Sequence, residues 1–599
     1  MSHSSFNRYS RAIAIMVTCS AACLAGCFAP WVSDDDPATR REQIKETLKA
    51  ENRPRIVAQI GYERMLTQSR LENIGLVSRL LGTGGKVNAS QPREKMLDHM
   101  RRNEVDQPNT LLDDPKTAMV VAHINAPPAA RKGEIFDVFV QLSTHAESTS
   151  LRRGWLLETP LVEMSKLGGQ VRSGFELASA EGQVVTTAEM SGSEDPADQL
   201  RGIVVGGARL HKGRDLGIGI EADFADAITM AAVLPAINAR FTVFDGRKQT
   251  GIAIPKEDSY IQLDVPPRYQ LDPFHFVNVV LQISFNESME QRQARVETLS
   301  RQLREPTTVR SACWQLEAIG QESVPVLAAA LDDPDREIRF YAAHTLAYLN
   351  DRRSIIPLAE LCRQEPAFRT MCLNGLTIID HYEAADALEE LLHAADAETR
   401  YGAVRALRRK DERNPQVSGQ QIGEVGKILE VPSAGPPLIA VSLSQLPEIV
   451  IFGENPTVNL PEFEYVTPEM IIRRDGPASV TISHFLPGEE DQVVQTATDL
   501  RSLLEGIAAV GGTYGNWVSF VRQISSKGHL IEPIAMNPIP SAGRVFQRNA
   551  VSKFEPGEHM MQETMILSST EESPPKPKKK SDNETANSSW YNPFSWWQK

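Results

Sequence analysis

Between about residues 55 and 290, apolar residues fall in short runs punctuated by glycine and proline. Ile135-Phe136-Asp137-Val138-Phe139-Val140-Gln141-Leu142 places apolar side chains on alternate positions over most of its length, and Tyr260 to Val265 does the same. A period of two predicts strands buried on one face. Ala118 to Ile124 is a continuous apolar run closed off by Pro127-Pro128, and Gly154 to Leu157 predicts a further strand. Asp223 to Ile237 is Ala-rich with apolar residues at helical spacing, which predicts an amphipathic helix. The block is α+β.

From about 290 to 412 the pattern changes to a helical period and repeats itself. Val309-Arg310, Ile338-Arg339, Phe368-Arg369 and Thr399-Arg400 recur at intervals of 29, 30 and 31 residues. Three residues after each Arg stands a small residue (Cys313, Ala342, Cys372, Ala403), followed at once by Trp314, Ala343, Leu373 or Val404. A Leu comes six or seven after the Arg: Leu316, Leu346, Leu376 and Leu407. A second apolar segment completes the unit, as in Val324-Pro325-Val326-Leu327 and Ile355-Ile356-Pro357-Leu358. Two helices at a period near 30 predict an α-solenoid, each unit burying its face on the next, and the pattern resembles short HEAT-type repeats. Asp332-Asp333-Pro334-Asp335 lacks the glycine and distal glutamate of a calcium loop and suits an acidic, proline-bearing helix start.

Strand signals return after about 415. Glu448 to Phe452 predicts a strand and Gly453-Glu454-Asn455 a turn. A helix follows from Leu500 to Val510, with Thr498 as a plausible N-cap, and another from Trp517 to Ser525. The solenoid thus reads as an insertion into one α+β domain or a linker between its halves.

The ends carry different information. Arg8 and Arg11 precede an apolar stretch from Ala12 to Gly26, too short to span a bilayer. Leu24-Ala25-Gly26-Cys27 then resembles a bacterial lipobox, which makes Cys27 the expected lipidation site; the plainer alternative is an ordinary signal with an incidental cysteine. Ser33 to Arg55 is a charged spacer, helical near Arg40 to Ala50. At the other end Pro574 to Lys580 is a basic linker, and Trp590 to Trp597 concentrates three of the seven tryptophans. That cluster is a docking peptide, a membrane-interface anchor or a strand tucked onto the body.

Composition narrows the function. A net charge of −14 argues against general nucleic-acid binding. Of six cysteines, Cys19 and Cys23 leave with a cleaved signal and Cys27 takes the lipid. Cys313, Cys362 and Cys372 remain, expected as apolar packing residues, although one pair could be oxidised. Gly82-Thr83-Gly84-Gly85-Lys86-Val87 has Val87 where a phosphate loop needs Ser or Thr. No H-E-x-x-H, zinc-spaced Cys/His pair, dinucleotide fingerprint or G-x-S-x-G is present. The expectation is therefore no enzyme, no cofactor and no metal.

Several segments resemble the flagellar P-ring protein family. Ile74-Gly75-Leu76-Val77 with Leu81 to Gly84, then Met119 to Pro128 leading into Gly133 to Val138, carry the resemblance. Ser150-Leu151-Arg152-Arg153-Gly154-Trp155-Leu156-Leu157-Glu158-Thr159-Pro160-Leu161 is similar almost residue for residue to the family's "SLRGG-LLLTPL" segment. Asp223 to Asn238, Ile261 to Pro273, Ile449 to Asn455 and Asp499 to Pro533 extend it collinearly over about 55–290 and 435–535. The resemblance implies a structural protomer that assembles head to tail into a closed ring. Gly75-Leu76 and Leu151 to Leu161 are then candidates for core or interface. The lipid, the repeats and the aromatic tail depart from the usual family pattern, as does Val171 to Gln199.

The resulting expectation is an α+β fold: a split P-ring-like domain with an inserted α-solenoid of about four repeats. Its parts are a signal (1–26), a spacer (27–54), P-ring-like regions (55–290 and 413–545), repeats (291–412) and a low-complexity tail (546–599). The implied partners are further copies of the chain, flagellar rod and L-ring proteins, and the outer membrane through the lipid, with peptidoglycan as a further candidate. The implied location is the periplasmic basal body. The competing expectation is a non-flagellar outer-membrane lipoprotein adaptor whose solenoid binds a protein.

Overall fold

The computed structural model describes residues 55–167, 170–244, 246–285, 287–488 and 490–548. Cys27, the signal, the spacer and the Trp-rich tail lie outside the described residues.

Six strands of the first region close into an antiparallel barrel: β1 (Ser69–Ser78), β2 (Ala118–Ala126), β3 (Ile135–Leu142), β4 (Trp155–Leu167), β5 (Gln170–Gln183) and β6 (Arg201–Leu210). Their order is β3-β2-β1-β4-β5-β6, and β6 pairs back onto β3 from Ile135↔Arg209 to Gln141↔Arg201. Alternation along β2 explains the closure. Ala118, Val120, Ala122, Ile124 and Ala126 point inward with Val138, Val140, Leu156, Leu161, Ala178, Ala180 and Ala208. The many alanines suit the narrow bore of a small barrel, which side chains alone must fill. Met119 points outward and is buried beneath helix α1 (Gln91–Arg102) by Met96, Leu97 and Met100.

A second sheet, Ala253–Glu257, Tyr260–Leu263, Leu216–Ile220 and Gly61–Arg64, shares its core with α2 (Ala227–Arg240) and α3 (Pro273–Leu281). Helix α2 starts later than expected because the Asp226 carboxylate caps it, accepting from the Thr229 N–H at 2.7 Å.

The repeats follow as α4 (Met289–Gln302), α5 (Val309–Ile319), α6 (Val324–Ala329), α7 (Arg336–Tyr348), α8 (Ile355–Gln364), α9 (Arg369–Ile378), α10 (Tyr382–Leu391) and α11 (Ala397–Lys410). The signature positions are the packing positions: Cys313, Ala342, Cys372, Ala403 and all four signature leucines are buried. The three cysteines are free, and burial pushes the Cys313 and Cys362 thiols up to about 12, which makes them inert packing groups. Asp335 caps α7, accepting from the Glu337 N–H at 2.8 Å, so the acidic run is a helix start. The units pair as α5/α6, α7/α8 and α9/α10. The fourth unit has only α11, and a sheet takes the place of its second helix.

That sheet, in the order Gln420–Ile422, Gly426–Val431, Glu448–Phe452, Leu438–Val441 and Ile534–Met536, mixes parallel and antiparallel pairs. A four-stranded meander over 463–497 follows, then α12 (Leu500–Ala509) and α13 (Tyr514–Ser526). The N-cap of α12 is Asp499, not Thr498: its carboxylate accepts from the Ser502 N–H at 2.9 Å. An aspartate reaches the first-turn N–H groups and also suits the positive helix end.

Candidate assembly surfaces and the joins between regions

For a protomer that acts through shape, the chemistry to examine lies where regions meet and where surface is left open. The α+β regions before and after the repeats are joined by half-buried polar contacts. Asp137, on a strand whose alternation was visible in the sequence, accepts from the Gly206 N–H (2.8 Å), the Ser444 hydroxyl (2.8 Å) and the Gln445 N–H (2.7 Å). One carboxylate thereby ties the barrel to residues more than 300 positions later. Val185, Met190 and Ile203 also share a core with Trp517, Phe520 and Val521 of α13. Arg153 stands where the family segment has glycine and adopts φ +62°, the left-handed region that favours glycine. Its guanidinium donates to His484 Nε2 at 3.0 Å, while His484 Nδ1–H donates to the Val510 carbonyl at 2.6 Å. The strained residue therefore links the α+β regions before and after the repeats.

The repeats join the body at both ends through buried ionisable groups. At the first end Glu317, fully buried, accepts from the Tyr269 hydroxyl at 2.7 Å and meets His275 Nε2 at 2.8 Å. Burial alone would push the His275 pKa down; the Glu317 carboxylate overrides it and raises it. His344, edge-on to His275 with ring centroids 5.1 Å apart, is held well below its usual value by burial, with repulsion from His275 adding to it. At the other end Glu448 accepts from the Tyr401 hydroxyl (2.9 Å) and Arg408 Nη1 (3.0 Å). Arg400, almost fully buried, donates to the Pro436 carbonyl at 2.7 Å. The core here mixes Tyr401, Ala403 and Leu407 with Leu429, Val450 and Phe452 of the sheet.

Alternate residues of the family-like segments line the barrel interior: Val77, Leu151, Leu156 and Leu161 are fully buried. A Cβ on Gly75 would meet the Thr159 Oγ1 at 2.7 Å, so this position must be bare for β1 and β4 to approach. Between Glu72 and Val77 the β1–β4 register shifts, leaving a groove of about 500 Å³ against α1. Leu157 and Glu158 of the same segment face that groove. The β4–β5 hairpin carries Phe175 almost fully exposed. The glycine-rich loop at Gly82 is packed against Thr117 and Glu147, with Gly84 N–H donating to the Pro115 carbonyl at 2.8 Å.

A further surface was not foreseen. Residues 540–548 run along the repeats, with Arg544, Phe546 and Arg548 turned toward them. The expected tail boundary at 546 falls inside this segment. The alternation Arg544-x-Phe546-x-Arg548 is the sequence signal that could have marked it.

Among the described residues no cluster of His, Cys, Asp or Glu is arranged to hold a metal. Among them too, no helix is long and apolar enough to cross a membrane. Residues 58–299 match the family described as flagellar P-ring protein, and residues 296–370 match HEAT repeats. The barrel and second sheet are thus a P-ring-type region, and the helices within residues 296–370 are of HEAT-repeat type. No curated protein matches the chain.

Proposed function

We propose that this protein is a structural subunit of the flagellar basal-body P ring, carrying its own membrane tether through a lipid on Cys27. The observation that carries the reading is the match over residues 58–299, which takes in the closed barrel, with the family-like segments buried as its framework. In this reading the P-ring-like domain is split into 55–290 and 413–545. The Asp137, Arg153 and α13 contacts that join these halves support it. The repeats are an insertion held at both ends. Assembly into a ring is head to tail, so two different faces of each copy must meet. Its contacts would be other copies, the rod and L-ring proteins, peptidoglycan and the outer membrane, and its place the periplasm.

Electron cryotomography of envelopes with and without the gene tests the ring. The expected result is a lost or altered periplasmic ring and impaired swimming; an unchanged basal body overturns it. Fatty-acid labelling of the wild type against Cys27→Ser tests the tether, and equal labelling of both refutes it. One observation favours a second reading, an outer-membrane adaptor outside the flagellum: the repeats already hold an extended segment of chain. Normal swimming in the deletion strain would favour that adaptor.

A further inference from the structure

After strand Ile534–Met536 the chain turns along one edge of the repeats. Thr370 Oγ1 donates to the Pro540 carbonyl at 3.0 Å. Gly402 makes room for that proline: a Cβ there would meet the Leu373 Cδ1 at 2.4 Å and the Pro540 Cγ at 3.2 Å. Arg544 then forks onto Glu398, Nη1 donating to Oε2 and Nη2 to Oε1, both at 2.6 Å. Phe546 packs on Phe368 with centroids 4.9 Å apart, and Arg548 pairs with Asp335 (3.3 Å) and Glu337. Val545, between Arg544 and Phe546, is 81% exposed. After a turn at Ala542-Gly543 the segment contacts the repeats with alternate residues from Arg544 to Arg548 and adds no strand to any sheet.

The receiving edge has a physical origin in the repeats. Helix N-termini favour carboxylates, and α7 begins with Asp335 and Glu337 while α11 begins with Asp396 and Glu398. Helix α9, between them, begins with Phe368 instead. The edge therefore reads acidic, aromatic, acidic across three successive units. Phe368 is itself stacked on the buried Phe340 at 4.0 Å and 1°, so Phe546 adds a third ring to a column that the repeats already build. The bound segment reads basic, aromatic, basic in the opposite direction, one contact residue per unit.

We propose that this edge is the peptide-recognition surface of the repeats, specific for an extended segment with Arg, an aromatic and Arg on alternate positions, and that residues 541–548 occupy it in cis as a releasable strap. The strap is held by part-exposed ion pairs and one ring, contacts that salt weakens and a competitor can replace. A partner presenting the same chemistry displaces the strap. The inference holds whether or not the protein is flagellar.

The test uses a fluorescein-labelled peptide of residues 541–548. A tethered segment competes at an effective concentration in about the millimolar range. The chain ending at Pro540 should therefore bind the peptide roughly tenfold or more tightly than the full chain. Phe546→Ala in the full chain should gain binding, and Glu398→Gln in the truncated chain should lose it. Should truncation disturb folding, tryptic cleavage after Arg544 and Arg548, read by mass spectrometry on the full chain, reports the same contact. Cleavage should rise roughly tenfold in Phe546→Ala, because it tracks the open population, and should also rise with added salt. Equal peptide binding by full and truncated chains, or none at millimolar peptide, overturns the recognition surface. Equal cleavage of wild type and Phe546→Ala overturns the strap.

Discussion

The barrel and the helical repeats each bury one face of every element, but they complete that burial differently. In the barrel the last strand pairs with the third, and the interior is filled by its own residues between Leu71 and Leu210. The repeats have two open ends, which the body covers. Ala318 and Tyr348 join the core of the second sheet, while Tyr401 and Leu407 join that of the sheet around Glu448. A solenoid normally needs terminal units with a polar outer face. Here the α+β regions before and after the repeats provide both caps, so the repeats and the regions on either side of them depend on one another.

Excision should break this arrangement most severely. Residues 291–412 alone would expose the apolar end of α11 and leave Glu317 and Arg400 without their partners. The expected outcome is loss of cooperative melting, seen by calorimetry and circular dichroism. Next, Glu448→Ala strips the buried Arg408 of its carboxylate, and losing one partner of such a pair costs about 3–5 kcal/mol. Denaturant titration should show that loss, and hydrogen exchange should place it first in α11. Leu161→Ala in the barrel should cost about 2–5 kcal/mol as a core cavity, with exchange rising across the closed sheet rather than in one unit.

A third contrast is in pH response. The raised pKa of His275 means that the folded state holds its proton more tightly than the unfolded chain. That stabilisation is complete below about pH 6.5 and fades as pH rises through the folded value. His344, depressed, behaves oppositely: its contribution is complete above about pH 6.5 and falls as pH drops. The first join, which also packs Tyr269, Tyr348, Asp272 and Arg310 around this pair, should be most stable near pH 6.5. The barrel's His123, lowered to about 4 by burial with Arg70 adding to it, should give only an acid-side loss. Hydrogen exchange in α7 and β2 across pH 4 to 9 separates the two.

The smallest expected effect is at Arg153. Arg153→Ala keeps the left-handed strain and loses the bond to His484, a loss of about 1 kcal/mol. Arg153→Gly trades that bond against relief of about 1 kcal/mol of strain and should stay near wild type. Thermal melts of the two variants, compared with each other, test the point.

Much of this was written locally. A continuous apolar run placed β2, alternation placed β3, and the period of 29 to 31 residues placed the repeats and their buried small residues, because each pattern reports on side chains along one element. The helix starts were legible in type but not always in position, as the shift from Thr498 to Asp499 shows; neighbouring side chains compete for the same N–H groups. Long-range contact decided the rest. Closure of β6 on β3, the Asp137 tie, the sheet that stands in for a missing repeat helix and the strap on Glu398 all join residues whose pairing leaves no periodic trace. Local sequence determined which faces had to be buried, since that depends on side-chain spacing along a single element. Tertiary structure alone decided what buries them, because several partners of similar polarity could serve and only the folded geometry selects among them.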